Sequence, residues 1–88
     1  MMFIILCYDV GVKRVARVRK TVKKYLSPMQ ESVFEGEITP GRLAKLKKDL
    51  TGLIEPSHDS IILHRLRTPG EVTREQIGIN IPVTDSFF

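Results

Sequence analysis

Seven consecutive apolar residues near the start of the chain, Met2–Tyr8 (MFIILCY), end abruptly at Asp9. The run is short for a helix and rich in strand formers, so it predicts a buried strand. Successive strand residues point to opposite faces. A strand that is apolar on both faces belongs in the middle of a sheet, and the rest of an 88-residue chain has to cover it. Asp9 then stands at the end of a central strand, followed by a turn at Val10-Gly11.

The covering elements are readable. From Val12 onward, Val15, Val18, Val22 and Tyr25 or Leu26 recur three and four apart, which predicts an amphipathic helix ending before Ser27-Pro28. Thr39 is suited to cap a second helix with Pro40 in its first turn, and Leu43, Leu46, Leu50 and Leu53 mark its apolar stripe, with Gly52 near its end. Met29–Ile38 has strand character, and Gly36 is the expected bend dividing it into two strands. Ser60–Arg67 (SIILHRLR) reads as a third strong strand and Thr68–Gln76 as a polar connection. The alternation of Ile77, Ile79 and Ile81 predicts a short last strand before Pro82. The order β-α-β-β-α-β plus one strand, with right-handed crossovers, gives an α+β fold. It is a ferredoxin-like antiparallel sheet with both helices on one face. We expect one domain over residues 1–81 and a tail over 82–88.

Size and composition narrow the class. A chain this small buries only roughly 60–65% of its unfolded surface, so a homodimer is expected. No run of 18 apolar residues exists, which excludes a transmembrane helix. Nor does the start read as a signal peptide, having no basic beginning and no small-residue cleavage site. The one cysteine, Cys7, excludes an intramolecular disulfide and a cysteine-based zinc cage, and fits a reducing, cytoplasmic setting.

Charge is uneven. The net charge is +4, and no acid lies between Asp9 and Glu31, where Lys13, Arg14, Arg17, Arg19, Lys20, Lys23 and Lys24 cluster. A solvated helix face with interspersed acids would need no partner. Here like charges three and four apart repel with nothing to offset them, so a polyanion such as nucleic acid is the expected partner.

Few residues can carry chemistry. Asp9 is either a turn aspartate or a ligand for a hard cation such as Mg²⁺. One carboxylate makes a poor site, but a two-fold dimer brings a second. Tyr8 points to the sheet face opposite Asp9, with either a core role or a hydroxyl that reaches phosphate. Phe34 is either core or a platform for a base. His58 and His64 lack metal-ligand spacing, and Ser32 lacks a triad.

Tyr8-Asp9-Val10 after the first strand, the basic first helix, the segment Gln30-x-Ser32-Val33-Phe34-Glu35-Gly36 and the close at Gly78-Ile79 together resemble the CRISPR-associated Cas2 family, over about residues 3–80. The resemblance implies a ferredoxin-like homodimer working in spacer acquisition. It would hold prespacer DNA and bridge integrase (Cas1) subunits. The family also includes metal-dependent nucleases acting on single-stranded RNA or double-stranded DNA. It further implies Asp9 as metal ligand with Tyr8 beside it as catalytic residues, and Mg²⁺ as cofactor. Nucleic-acid contacts would come from Arg14, Arg17 and Arg19, joined by Lys13 and Lys20 of the same basic segment, and from Phe34. The strand at Ile77–Ile81 would be exchanged with the partner protomer. A non-catalytic nucleic-acid adaptor, or an RNA-cleaving toxin of the same fold, are the alternatives.

Overall fold

The computed structural model describes residues 1–68 and 70–79. Strand β1 (Met2–Asp9) leads to helix α1 (Val12–Lys23), then strands β2 (Ser27–Gln30) and β3 (Val33–Ile38), helix α2 (Pro40–Thr51), and strands β4 (Ser60–Thr68) and β5 (Glu71–Gly78). The sheet order is β2-β3-β1-β4-β5 and every neighbouring pair is antiparallel. This is the expected ferredoxin-like arrangement with β1 at its centre, carrying one more strand on the β4 edge.

Alternation along β1 sorts its residues. Ile4, Leu6 and Tyr8 are buried on the helix-covered face. They pack with Val18 and Val22 of α1, Leu43, Leu46 and Leu50 of α2, Phe34 and Ile38 of β3, and Ile61 and Leu63 of β4. Each such side chain contributes about 1.5–3 kcal/mol by leaving water. Phe3, Ile5 and Cys7 take the opposite face, aligned with Leu66, His64 and Ile62 of β4. Among the described residues no helix covers that face, and these residues are only half-buried. The second helix begins as its sequence indicates, with the Thr39 hydroxyl accepting from the Arg42 N–H at 3.2 Å and Pro40 next to the cap.

Three expectations need correction. The β2–β3 division falls at Glu31-Ser32, not at Gly36, which lies inside β3 opposite Ile4. Ser27 and Pro28 belong to β2, where an edge strand tolerates the missing N–H of proline. Residues 71–76, read as a polar connection, form most of β5. Over these residues every side chain but that of Val72 is polar, so hydropathy gave no sign of a strand. Pairing with β4 and the ion pairs of Glu75 with Lys47 (2.7 Å) and Arg65 (2.8 Å) hold it in place.

The expected isoleucine alternation breaks after Ile77, which pairs with Ile61. Gly78 (φ +90°) and Ile79 (φ +31°) turn the chain out of the extended conformation, and the Ile79 N–H donates to the Asp59 carbonyl at 2.8 Å. A Cβ at position 78 would collide with that same carbonyl oxygen, so glycine is required on both counts. Asn80 and Ile81, the end of the segment expected to exchange between protomers, lie outside the described residues, as does the tail. Among the described residues no helix is long and apolar enough to cross a membrane.

Candidate active site

Asp9 is the last residue of β1, opposite Ser60 at the start of β4. Its side chain is exposed. By the strand alternation it shares the uncovered face with Phe3, Ile5 and Cys7. The central strand therefore delivers one carboxylate, facing solvent, to the rim of an apolar sheet face.

Tyr8 goes the other way. Its residue is only 7% exposed, and its hydroxyl donates to the Glu31 carbonyl at 2.9 Å. Its own N–H donates to the Ser32 carbonyl at 3.1 Å. Its ring stacks on Phe34 with centroids 6.1 Å apart. The catalytic contact expected of Tyr8 gives way to a positioning role, holding the β2–β3 turn against the end of β1. Phe34 is fully buried, so it cannot offer a face to a base as expected. Arg19 joins the same unit. Its guanidinium lies 5.4 Å over the Phe34 ring and donates to the same Glu31 carbonyl at 2.9 Å.

Arg14 is also diverted from the expected phosphate contact. Its Nε and one terminal nitrogen donate to the two carboxylate oxygens of Asp59, at 2.5 and 3.0 Å. Asp59 is fully buried. The same carboxylate accepts from the Gly11 N–H at 2.9 Å and the Glu55 N–H at 2.8 Å. The Arg14 guanidinium, helped by these two N–H donors, holds the Asp59 carboxyl well below the usual range, although burial pushes it the other way. Gly11 carries no capping side chain, and Asp59 supplies the missing acceptor across the fold. One carboxylate thus ties the start of α1 to the loop before β4, two residues past Asp9. Sequence reasoning missed Asp59, because its partners lie 45 and 48 residues away.

The remaining basic residues match expectation in placement. Lys13, Arg17 and Lys20 are exposed on α1, spaced four and three apart along one stripe, and Lys23 and Lys24 extend it. Among the described residues no carboxylate pairs with any of them. Between α1 and the β2–β3 turn, next to Asp9, lies an open cleft of about 590 Å³. It is lined by Tyr8, Asp9, Val10, Val15, Ala16, Arg19, Glu31 and Ser32.

The donor set bears on metal binding. Among the described residues no three His, Cys, Asp or Glu side chains gather into a metal cluster. Mg²⁺, however, is commonly held by one or two carboxylates together with waters and substrate phosphate oxygens. An exposed Asp9 suits that mode when a second protomer or a phosphodiester completes the shell.

The chain is similar to known proteins in both sequence and fold. The sequence model of the family described as CRISPR associated protein Cas2 matches residues 2–73. The chain is 41% identical over 78 residues to a Pyrococcus furiosus protein named CRISPR-associated endoribonuclease Cas2, with 89% of each chain covered. A Thermotoga maritima protein of the same name is 38% identical over 78 residues, covering 89% of this chain and 90% of that one. A crystal structure of a cas2 protein superposes with a TM-score of 0.73 at 37% identity, over 80% of this chain and 79% of that one. Streptococcus pyogenes Cas2 superposes with a TM-score of 0.69 at 32% identity, over 78% of this chain and 89% of that one.

Proposed function

The chain belongs to the CRISPR-associated Cas2 family, and from that premise we propose that two copies act together as a metal-dependent endonuclease on single-stranded RNA. The observation that carries the reading is Asp9, exposed at the end of the central strand on the sheet face opposite α1 and α2. The apolar residues beside it, Phe3, Ile5, Ile62 and Leu66, give a second copy something to bury. A two-fold axis near the end of β1 would bring both Asp9 carboxylates together.

The paired carboxylates would hold Mg²⁺, which supplies Lewis-acid activation of the phosphodiester and of an attacking water. The exposed stripe of Lys13, Arg17 and Lys20 attracts the phosphate backbone from either protomer and adds affinity without sequence preference. Tyr8, Phe34, Arg14 and Asp59 act one step back, fixing the two chain segments that flank Asp9. The names of the relatives from Pyrococcus and Thermotoga, endoribonucleases, support RNA as the substrate. The test is cleavage of a labelled single-stranded RNA with and without Mg²⁺ by the wild type and Asp9→Asn. Loss of cleavage in the variant, with the dimer retained on sedimentation, is the expected result. Equal cleavage by both proteins refutes it.

A second reading is favoured by the unpaired basic stripe, which lies on α1 away from the apolar face. In this reading the homodimer holds prespacer DNA and bridges integrase (Cas1) subunits during spacer acquisition, and Asp9 is dispensable. Asp9→Ala, assayed separately for RNA cleavage and for integrase-dependent spacer uptake, separates the two: the adaptor reading expects uptake to persist after cleavage is lost.

A further inference from the structure

The sheet face opposite α1 and α2 carries its charge in an ordered way. At the level of Ile5 the strand registers align Glu35 of β3, Ile5 of β1, His64 of β4 and Arg74 of β5. Two residues back along β1 the row reads Glu37, Phe3, Leu66 and Val72. Two residues forward it reads Val33, Cys7, Ile62 and Gln76. The β3 flank of this face is therefore acidic, the β4–β5 flank is basic, and the strip between them is apolar. Among the described residues Glu35, Glu37 and Arg74 form no ion pair. The Arg74 guanidinium donates to the Gln76 side-chain oxygen at 3.3 Å. Glu35 is half-buried beside the apolar strip. A second copy that covered this strip and left Glu35 unpaired would bury a bare charge, which is costly, so the covering surface has to bring a cation to it.

Symmetry limits how that can happen. Two copies packed face to face on this strip are related by a two-fold axis lying between their sheets, with the strands aligned to within about 30°. An axis that crosses the strands lays β3 over the partner's β3. With the Ile5 rows matched, Glu35 then faces the partner's Glu35 and Arg74 the partner's Arg74. The two β1 strands run in opposite directions, which sends the Asp9 ends apart. An axis that runs along β1 lays β1 over the partner's β1 in the same direction, and β3 over the partner's β4. Glu35 then faces the partner's His64, and the partner's Arg74 stands one strand further out, about 5 Å to the side. The contact forms twice, and both Asp9 carboxylates arrive at the same end of the interface.

We propose that the second copy packs on this face with its two-fold axis along β1, and that Glu35, meeting the partner's His64 and Arg74, fixes that orientation. The proposal rests on the two-copy reading of Asp9 and adds how the copies are turned toward each other. The apolar strip supplies area to bury but has no preferred direction. The charged flanks supply the direction, because like charges placed opposite each other oppose the crossed arrangement and unlike charges favour the aligned one. Glu35 is thus a positioning residue for the Asp9 pair, acting through the partner and not on a substrate. Its neighbour Phe34 is spent on the core of its own chain.

The test is a charge swap read by sedimentation equilibrium. A chelator is present so that no metal bridges the Asp9 pair, and the solution is held at about pH 8, above the ordinary range of histidine, so that Arg74 carries the charge. Glu35→Lys and Arg74→Glu should each weaken dimerisation roughly a hundredfold, tenfold at each of the two symmetric contacts. Both substitutions in one chain should recover the wild-type constant to within about fivefold, because each new lysine meets a new glutamate of the partner. Glu35→Lys combined with His64→Glu is a second swap that leaves β5 untouched, and it should recover in the same way. Single substitutions that leave the constant unchanged, or losses that add in both double variants, overturn the orientation. Cleavage of single-stranded RNA with Mg²⁺ is then read on the same proteins. Recovery of the dimer with no cleavage by the wild type supports the orientation and removes the nuclease reading. Cleavage by a dimeric wild type with no recovery in either double variant keeps that reading and overturns the orientation. A wild type that stays monomeric throughout overturns both.

Discussion

Asp59→Asn tests the reasoning at its most specific point. The wild-type carboxylate is fully buried and accepts four hydrogen bonds, two from Arg14 and one each from the Gly11 and Glu55 N–H groups. Asparagine offers one acceptor oxygen and turns its amide N–H bonds toward donors. About half of the bonds are lost, and the Arg14 charge loses its counterion. Breaking a buried ion pair from one side costs about 3–5 kcal/mol. The Arg14 side chain is one-third exposed and can regain water, so the lower end applies, about 3 kcal/mol. Total stability for a chain of this length is about 4–13 kcal/mol. At about 4–8 °C per kcal/mol, Tm should fall by roughly 12–24 °C.

The pH dependence gives an independent check on the same residue. The Asp59 carboxyl is held below its unfolded value of about 3.9. A depressed folded value means that the unfolded state binds the proton first. The stabilisation is therefore complete above about pH 4 and is lost as pH falls below that. The wild-type urea midpoint should drop more steeply below about pH 4 than that of Asp59→Asn, and the two should differ most near neutral pH. A Tm loss under about 5 °C, or parallel acid profiles, refutes the assignment of this carboxylate as the clamp.

Other outcomes follow from the same placements. Arg17→Glu should weaken RNA binding for all sequences alike and flatten the log–log salt dependence by about 1.5 per dimer, since two single-strand phosphate contacts are removed; fluorescence anisotropy across a salt series reads this. Arg14→Ala should behave differently, lowering Tm by thermal melt while leaving the salt slope nearly unchanged, because its guanidinium is spent on Asp59. Gly78→Ala should cost about 2–3 kcal/mol in urea unfolding, from a left-handed φ plus a collision with the Asp59 carbonyl. Removing Mg²⁺ with a chelator should abolish cleavage but leave the urea midpoint within error, since the expected ligand, Asp9, is exposed at the end of β1 and not part of the core.

Much of the fold was legible because hydrophobic periodicity dictated it. The apolar run of β1 required a central position, and the leucine and valine stripes of α2 and α1 required a common face to cover. The parts that were not legible lacked a hydrophobic signal. β5 alternates polar with polar over most of its length, and its place depends on long-range pairing with β4 and on Glu75 meeting cations from both α2 and β4. The β2–β3 turn was misplaced for a related reason. Gly36 looked like a bend, but β3 runs through it in register with Ile4 of β1, and a Cβ there would meet Leu26 of the neighbouring segment.

At the candidate site the sequence identified the right segment and misassigned some of its members. A basic cluster next to an aspartate implies phosphate, and Lys13, Arg17 and Lys20 face solvent as that requires. Arg14 and Arg19 belong to the same cluster by composition, yet the helix turns them toward the fold's own acceptors, Asp59 and the Glu31 carbonyl. Charge alone cannot separate the two sets. Helical angle can: Arg14 and Arg19 flank the Val15, Val18 and Val22 stripe, while Lys13, Arg17 and Lys20 lie opposite it. A cation beside an apolar stripe meets backbone carbonyls and buried carboxylates before it meets a ligand. Division of labour within one helix follows from this. Its inner cations hold the β1 end and the β2–β3 turn in place, and its outer cations remain free for a polyanion. Substitutions of the first kind should register in stability and those of the second in salt-dependent affinity, so comparing Arg14 with Arg17 tests the division directly.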